Sequence, residues 1–341
     1  MYDVAIIGSG LSSLMTAAIL SREGMKVVVI EKGPGCGGGL QHFYWNNLPF
    51  NTGLHYLGGL DEGQSLYRYF EYFGLNKILA KEAMPADGFD IIHLEKENQV
   101  YKLVSGHEQF VESLHKVFPE EKGAVSAFVE EVKSIAACFP IYNLEKGSNY
   151  FETDDPRLEY RAYDFIAKLT KNPLLQRVLA GNNIIYAGNS RKTPFYVLAL
   201  VLNSFLESAW KIKPGSGIIA EHLTELIRKY GGEILFNTEV AQIQNANERL
   251  DKLVFSDGHE IGFKQLISGI HPVLTMELID KKMFRSSYLN RLTSMEHTAS
   301  VFAVFVKFSP AKVTYSAANH YYYACNEVWF DRYPKGSKGQ F

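Results

Sequence analysis

The sequence predicts an α/β protein with two interleaved domains, and three observations carry that prediction. A strand–turn–helix–strand unit fills the first 30 residues, short strands and several helices follow from about residue 62, and the α/β pattern returns after residue 214. Strands alternating with helices are typical of a parallel sheet covered on both faces. We expect residues 1–75 plus 212–275 to form one domain, and residues 76–211 plus 276–341 to form a second, α+β domain.

Composition and charge exclude several classes of protein. The 341 residues carry 35 basic and 37 acidic side chains, a formal charge of −2, whereas nucleic-acid-binding proteins usually show a basic excess. Three widely spaced cysteines fit neither a disulfide framework nor a metal site, which predicts a reducing, cytoplasmic compartment. No signal-peptide pattern is present, and the longest apolar run, residues 195–202, is shorter than the roughly 18 residues of a membrane-spanning helix.

The first crossover is defined by two short apolar runs, residues 4–7 and 27–30, which have the composition of strands buried on both faces. Between them, residues 11–23 place apolar side chains at helical spacing, and Gly24 ends that helix. Residues 33–39 then hold five glycines. A loop of this composition is able to approach another group closely.

A glycine motif, Gly8-Ser9-Gly10-Leu11-Ser12-Ser13, lies between the first strand and the first helix. Gly8 permits the tight turn, Gly10 lets a pyrophosphate approach the backbone, and the free N–H groups at the helix start bind the anion. Ser13 stands where the usual fingerprint has a third glycine, and serine is small enough to keep helix and strand close. The motif predicts a Rossmann-like dinucleotide site.

An acidic residue at the end of the second strand supports that prediction. Glu31 follows Gly8 by 23 residues, the place for a carboxylate that accepts hydrogen bonds from a ribose diol and disfavours a 2′-phosphate. NAD and FAD both satisfy this frame. The glycine cluster at residues 37–39 favours FAD, because the longer cofactor extends past the second strand and a dehydrogenase has no need of a second glycine cluster there.

Here the resemblance to a known family becomes specific. Residues 4–39 resemble the flavin-binding opening shared by amine oxidases and carotenoid desaturases. Residues 50–59 are similar to the aspartate-x-glycine-x-histidine-tyrosine segment of the phytoene desaturase, carotenoid isomerase and retinol saturase group, with Asn51 in place of the aspartate. Residues 214–240 resemble the later segment in which a valine meets adenine, and residues 268–272 resemble the family's serine-asparagine-alanine-aspartate-proline turn with two departures.

The resemblance implies a GR2-type flavoprotein fold, FAD as cofactor, and NAD(P) as a candidate external electron partner. It implies an oxidoreductase that transfers a hydride through the flavin N5 at a carbon–carbon bond of a hydrophobic, polyene-like substrate, in desaturation, saturation or isomerisation. It assigns no catalytic residue and no metal. The cofactor-binding residues that it implies are Gly8, Gly10, Leu11, Ser12, Ser13, Glu31, Lys32, Gly38, Gly39, His55 and Val240.

Two other functions stay open at this point: a dinucleotide-binding protein without turnover, and an NAD-linked dehydrogenase. The first is motivated by the residues after His271, because members of the resembled group are longer and end in a glycine-rich segment that no part of this sequence matches. We therefore expect the sequence to be the N-terminal portion of a longer protein.

Five further patterns give local predictions. Thr193-Pro194 predicts a helix start, with threonine as N-cap and proline as first helical residue. The apolar helix at residues 195–208 fits a core helix, the wall of an apolar substrate tunnel, or contact with a membrane surface. Asp257-Gly258 predicts a hairpin turn, and residues 301–308 predict a long strand. His271 before Pro272 indicates turn chemistry.

Overall fold

The computed structural model describes residues 1–145, 155–246, 249–309 and 312–332. The strands are β1 (Tyr2–Ile7), β2 (Val27–Ile30), β3 (His42–Trp45), β4 (Leu48–Asn51), β5 (Leu57–Gly58), β6 (Ala80–Ala83), β7 (Asp90–Leu94), β8 (Gln99–Leu103), β9 (Ala209–Lys213), β10 (Glu233–Leu235), β11 (Val240–Ala246), β12 (Arg249–Phe255), β13 (Glu260–Ser268) and β14 (Asn319–Tyr323). The helices are α1 (Leu11–Arg22), α2 (Ser65–Tyr72), α3 (His107–Val117), α4 (Lys122–Ala137), α5 (Pro140–Asn143), α6 (Ala162–Leu169), α7 (Pro173–Leu179), α8 (Phe195–Glu207), α9 (Gly217–Lys229), α10 (Pro272–Glu277) and α11 (Ser286–Thr293).

The chain divides into two compact units. Unit 1 contains residues 1–55, 78–80 and 212–297, and unit 2 contains residues 56–77, 81–211 and 298–341. Each unit is assembled from separate stretches of chain. The α/β fold class predicted from the sequence is confirmed.

Unit 1 is built on a six-stranded sheet in the order β10-β2-β1-β13-β12-β11. Strands β10, β2, β1 and β13 are parallel, and β13, β12 and β11 continue as an antiparallel meander. All four residues of β2 are buried, as expected of a central parallel strand. The predicted hairpin turn joins β12 to β13, with Gly258 at φ +85°. This order brings the carboxyl ends of β1, β2 and β13 together at one edge of the sheet.

Unit 2 combines small sheets with a helical core. Strands β14, β7 and β8 form one sheet, and β5, β9 and β6 form another. Helix α8 packs against α4 and α6 and buries most of its apolar side chains. The core interpretation of this helix is therefore the one that the structure supports.

Two local predictions were wrong. Residues 301–308 form no strand and most of their large apolar side chains are exposed, so a nearly continuous apolar run alone was not sufficient to predict a strand. The apolar helix begins at Phe195 as predicted, but its cap was wrong: Pro194 is the N-cap residue, and the Thr193 hydroxyl accepts a hydrogen bond from the Asn189 N–H at 2.8 Å.

Helices that combine enough length with enough apolar character to cross a bilayer are absent from the described ranges.

Candidate functional site

A cavity of about 420 Å³ opens at the carboxyl edge of the unit 1 sheet. Six of the residues predicted to bind the cofactor line it together: Gly8, Gly10, Glu31, Lys32, Gly38 and Val240. They come from the first crossover, the glycine loop and the start of β11. In an open α/β sheet, ligands bind in the crevice outside the carboxyl ends of the strands.

The turn between β1 and α1 leaves room for a ligand. Gly8 lies at φ +87°, a conformation that favours glycine, and its N–H donates to the Ile30 carbonyl at 2.8 Å. A Cβ added to Gly10 would meet nothing within 4 Å. The first N–H groups of α1, from Leu11 onward, have no acceptor within the helix. An open glycine beside free donors at a helix N-terminus fits a diphosphate.

Glu31 is held at this turn by three hydrogen bonds. Its Oε2 accepts from the Ser9 N–H at 3.0 Å and from the Ser9 hydroxyl at 2.6 Å, and its Oε1 accepts from the Gly33 N–H at 2.8 Å. A carboxylate has about four acceptor positions, so Oε1 keeps capacity for one more donor. The carboxylate is thus held at the wall of the cavity with one acceptor position left.

The glycine loop lies directly against the first turn. The Gly37 N–H donates to the Ser9 carbonyl at 2.8 Å, and a Cβ added to Gly38, which has φ +56°, would lie 3.4 Å from the Gly10 Cα. Gly37 has φ +111°, and its added Cβ would lie 2.9 Å from the Cβ of Ala220. Glycine at residues 37 and 38 therefore lets the loop join the wall of the same cavity.

Ser13 is buried where the fingerprint usually has its third glycine. Here the glycine that allows α1 to pack closely on the sheet is Gly269, just after β13, because a Cβ added to it would lie 2.0 Å from the Ser13 hydroxyl oxygen. Serine in the helix is compatible with tight packing because its neighbour is a glycine. The sequence alone did not identify this exchange.

Five predicted residues do not line the cavity: Leu11, Ser12, Ser13, Gly39 and His55. Leu11 and Ser12 still carry backbone N–H groups of the first helical turn. Gly39 packs against Gly53, whose added Cβ would lie 2.7 Å from the Gly39 carbonyl oxygen. His55 is exposed, and its proximity to the flavin stays a prediction.

Other residues of the cavity were missed by the sequence reasoning. They come after β10 or β13 and are Thr238, Glu239, Gly269, Ile270, Leu274, Glu277 and Leu278. The signal for Gly269 and Ile270 was present, because residues 268–272 resemble a turn of the family. His271 caps α10 by accepting a hydrogen bond from the Val273 N–H at 3.3 Å, which supports its interpretation as turn chemistry.

Asn51, which replaces the aspartate of the resembled segment, has a structural role. Strands β3 and β4 pair as a hairpin, and the Asn51 Oδ1 accepts a hydrogen bond from the Ser216 N–H at 3.0 Å, at the start of α9. A Cβ added to Gly215 would lie within 2.4 Å of the same oxygen. An amide oxygen performs this contact as well as a carboxylate oxygen does.

An open glycine turn at the start of α1, a carboxylate after the next strand and a second glycine loop define a dinucleotide-binding α/β protein of the flavoprotein type. Comparison with known protein families supports this class: the family described as flavin containing amine oxidoreductase matches residues 11–327. The chain belongs to this family of oxidoreductases, and its cofactor is FAD. The family resemblance predicted from the sequence is confirmed.

Individual relatives are more distant. The all-trans-retinol 13,14-reductase of Macaca fascicularis is 29% identical over 260 residues, which cover 71% of this chain and 42% of that protein. The chloroplastic prolycopene isomerase of Daucus carota is 25% identical over 289 residues, covering 78% of this chain and 46% of that protein. The chain therefore spans less than half the length of these two relatives.

A solved structure supports the fold. The crystal structure of an oxidoreductase from Methanosarcina mazei superposes with a TM-score of 0.64 at 16% sequence identity, covering 86% of this chain and 65% of that one. At this level of identity the likeness concerns the fold alone.

Proposed function

We propose that the protein containing this chain is an FAD-dependent oxidoreductase that acts on a carbon–carbon bond of a hydrophobic, polyene-like molecule. Two relatives with different names support this: one is a retinol reductase and the other a prolycopene isomerase. Both names refer to conjugated, apolar molecules. Saturation, desaturation and isomerisation all fit this proposal.

The observation that carries the cofactor roles is the shared cavity of Gly8, Gly10, Glu31, Lys32, Gly38 and Val240. Gly10 and the N–H groups of residues 11–13 bind the pyrophosphate, and Glu31 accepts from the adenosine ribose. Gly38 and Gly39 lie along the cofactor, Lys32 lies beside the ribose, and Val240 contacts the adenine. His55 lies near the flavin ring. When bound, FAD supplies hydride chemistry, and the protein supplies orientation and a dry environment.

Titration of the purified chain with FAD tests the cofactor site, with Glu31→Gln compared with Glu23→Gln. Glu23 is an exposed residue at the end of α1 and serves as the matched control. Loss of a charged hydrogen bond costs about 1.5–3 kcal/mol, so Glu31→Gln should weaken FAD binding about 10- to 100-fold. Unchanged FAD affinity at an unchanged melting temperature would show that Glu31 does not contribute to FAD binding.

The reaction is tested separately, by anaerobic mixing of the dithionite-reduced, FAD-loaded protein with all-trans-retinol or with prolycopene. Reoxidation of the flavin by retinol supports saturation, and isomerisation of prolycopene without net reoxidation supports the redox-neutral reaction. A protein that binds FAD and converts neither molecule supports dinucleotide binding without turnover. A protein that does not bind FAD but changes the fluorescence of NADH supports the NAD-linked dehydrogenase instead.

A further inference from the structure

The residues that line the cofactor cavity of unit 1 carry more negative than positive charge. Three carboxylates line it, those of Glu31, Glu239 and Glu277, together with the ammonium group of Lys32. The proposed function puts a negative diphosphate in this cavity, on the glycine turn and the start of α1. A carboxylate directed at the diphosphate would repel it. The three carboxylates therefore need donors other than the diphosphate end of the ligand.

Two of these carboxylates have donors within unit 1. Glu31 accepts the three hydrogen bonds from Ser9 and Gly33 described above. The Ser256 hydroxyl lies 3.5 Å from the Glu239 Oε2 and 3.4 Å from the Glu239 carbonyl oxygen. Ser256 and Glu239 also line a neighbouring cavity of about 320 Å³. The Glu239 carboxylate is thus directed toward Ser256 and that second cavity.

The third carboxylate, that of Glu277, differs from the other two. Among the residues that the structure describes, it has no hydrogen-bond or ion-pair partner. Glu277 is the last residue of α10. Because the C-terminal end of a helix carries a partial negative charge, a carboxylate at this position is unfavourable unless a donor approaches it. Glu277 therefore presents a free acceptor at the wall of the cavity.

The same face of α10 also provides an apolar wall. Leu274 and Leu278 line the cavity beside Glu277, as expected of residues three or four positions apart on a helix. Leu274 is 50% exposed, so this wall has room for an apolar ligand surface. The Ile243 N–H donates to the Leu278 carbonyl at 2.7 Å, which joins the end of α10 to β11, the strand that begins with Val240. One end of the cavity thus combines apolar side chains with a free carboxylate.

The adenine base has the chemistry that this end of the cavity accepts. Its ring faces are apolar, and its exocyclic amino group donates hydrogen bonds along the ring edge. Carboxylates accept from amino groups of this kind when proteins read the edges of nucleic-acid bases. The glycine turn and the N-terminus of α1 have the opposite preference, because they attract an anion. The two ends of the cavity therefore favour different parts of one adenine nucleotide.

We propose that Glu277 accepts a hydrogen bond from the amino group of adenine and makes the cavity selective for adenine nucleotides. This inference rests on the proposed function, in which adenine contacts Val240. Leu274 and Leu278 bind the face of the base, and Glu277 recognises its edge. Glu277 is thus a specificity-determining residue of the cofactor site and takes no part in hydride transfer.

Calorimetric titration of the purified chain tests this contact with ADP and with purine riboside 5′-diphosphate, in which hydrogen replaces the amino group. The wild type should bind ADP about 10-fold more tightly, the lower end for a hydrogen bond to a charged group, because Glu277 is exposed. Glu277→Ala should bind both nucleotides equally. Glu277→Gln should keep part of the preference, since its amide oxygen still accepts a hydrogen bond. The ratio of the two affinities is the informative quantity, because loss of a carboxylate reduces the repulsion of both diphosphates alike.

Glu239→Ala is the matched control, because Glu239 lines the same cavity but is directed toward Ser256, and this variant should keep the wild-type ratio. The inference is overturned, while the cofactor site stands, if the wild type binds both nucleotides equally or if Glu277→Ala keeps the wild-type ratio. Loss of the preference in Glu239→Ala as well would indicate a general effect of charge and would also overturn it. If the folded chain binds neither ADP nor FAD, the proposed cofactor roles fail, and the role of Glu277 fails with them. Equal melting temperatures of the variants establish that folded proteins are compared.

Discussion

Unit 1 contains the cavity, and unit 2 contains a hydrogen-bonded group of three side chains, Asp90, Tyr56 and Tyr321, which we call the Asp90 network. Both combine polar groups with apolar neighbours, but they are assembled in opposite ways. Half of the residues that line the cavity lie in one stretch of the chain, Ile7 to Gly38, and three of these are glycines. The network joins side chains that are far apart in the chain: Tyr56 and Asp90 are 34 positions apart, and Tyr56 and Tyr321 are 265 positions apart. In a site lined by glycines, an added side chain is expected to obstruct the ligand. In a site made of polar side chains, a change of charge is expected to have the larger effect.

That contrast predicts that the largest effect of a single charge lies in unit 2. An aspartate in an unfolded chain ionises near pH 3.9, whereas Asp90 in the folded protein ionises near pH 7. Between these values the folded state keeps a proton that the unfolded state has released. The contribution of Asp90 is therefore fully present below about pH 4, is lost as the pH rises to about 7, and amounts to about 4 kcal/mol in total.

Urea unfolding of the wild type and Asp90→Asn between pH 5 and pH 8 measures this loss. The free energy of unfolding of the wild type should fall by about 3 kcal/mol relative to the variant over that range. Asp87→Asn is the matched control because Asp87 is an exposed residue whose carboxylate pairs with Lys102. Parallel pH profiles for the wild type and Asp90→Asn would show that Asp90 does not titrate as described.

A smaller effect is expected from a methyl group in unit 1. Gly10→Ala should fold normally, since the added Cβ meets nothing within 4 Å and φ is −64°. The methyl group should instead obstruct the pyrophosphate and weaken FAD binding about 100-fold, or about 2.7 kcal/mol. Gly123→Ala in α4 also meets open space and should leave FAD binding unchanged. Equal FAD affinities of the two variants would mean that the pyrophosphate does not lie against Gly10.

The same contrast explains what the sequence could predict. Gly8, Gly10 and Glu31 are recognisable because backbone geometry demands glycine at fixed spacing, and the first crossover was predicted almost to the residue. Asp90 begins a short strand that is apolar except for His93, and nothing local indicates that Tyr56 and Tyr321 contact Asp90. Long-range side-chain contacts of this kind depend on how the strands pair, and the pairing of β7 with β14 is not visible in either strand alone.

Residues 301–308 also show that strand pairing cannot be inferred from local sequence. Their composition favours a strand, but a strand needs a hydrogen-bonded neighbour, and none is paired with these residues within the described ranges.

Ser13 was predictable from the sequence only in part. The substitution in the motif was evident from the sequence, but the compensating glycine at residue 269 became evident only from the contact between α1 and the end of β13.

The smallest predicted effect tests that compensation. Gly269→Ala places a Cβ 2.0 Å from the Ser13 hydroxyl oxygen and 3.1 Å from the Ile7 carbonyl oxygen, so it should lower the free energy of unfolding by about 2 kcal/mol, within the range for overpacking. Ser13→Ala removes the closer contact, and its own cost should be less than about 1 kcal/mol. The double variant should be more stable than Gly269→Ala alone, because only the 3.1 Å contact and a Cβ–Cβ distance of 3.3 Å remain. Urea unfolding of all four proteins measures the coupling energy. If the two effects simply add, Ser13 and Gly269 do not share the space between helix and sheet, and Gly269 does not compensate for the serine at the third position of the fingerprint.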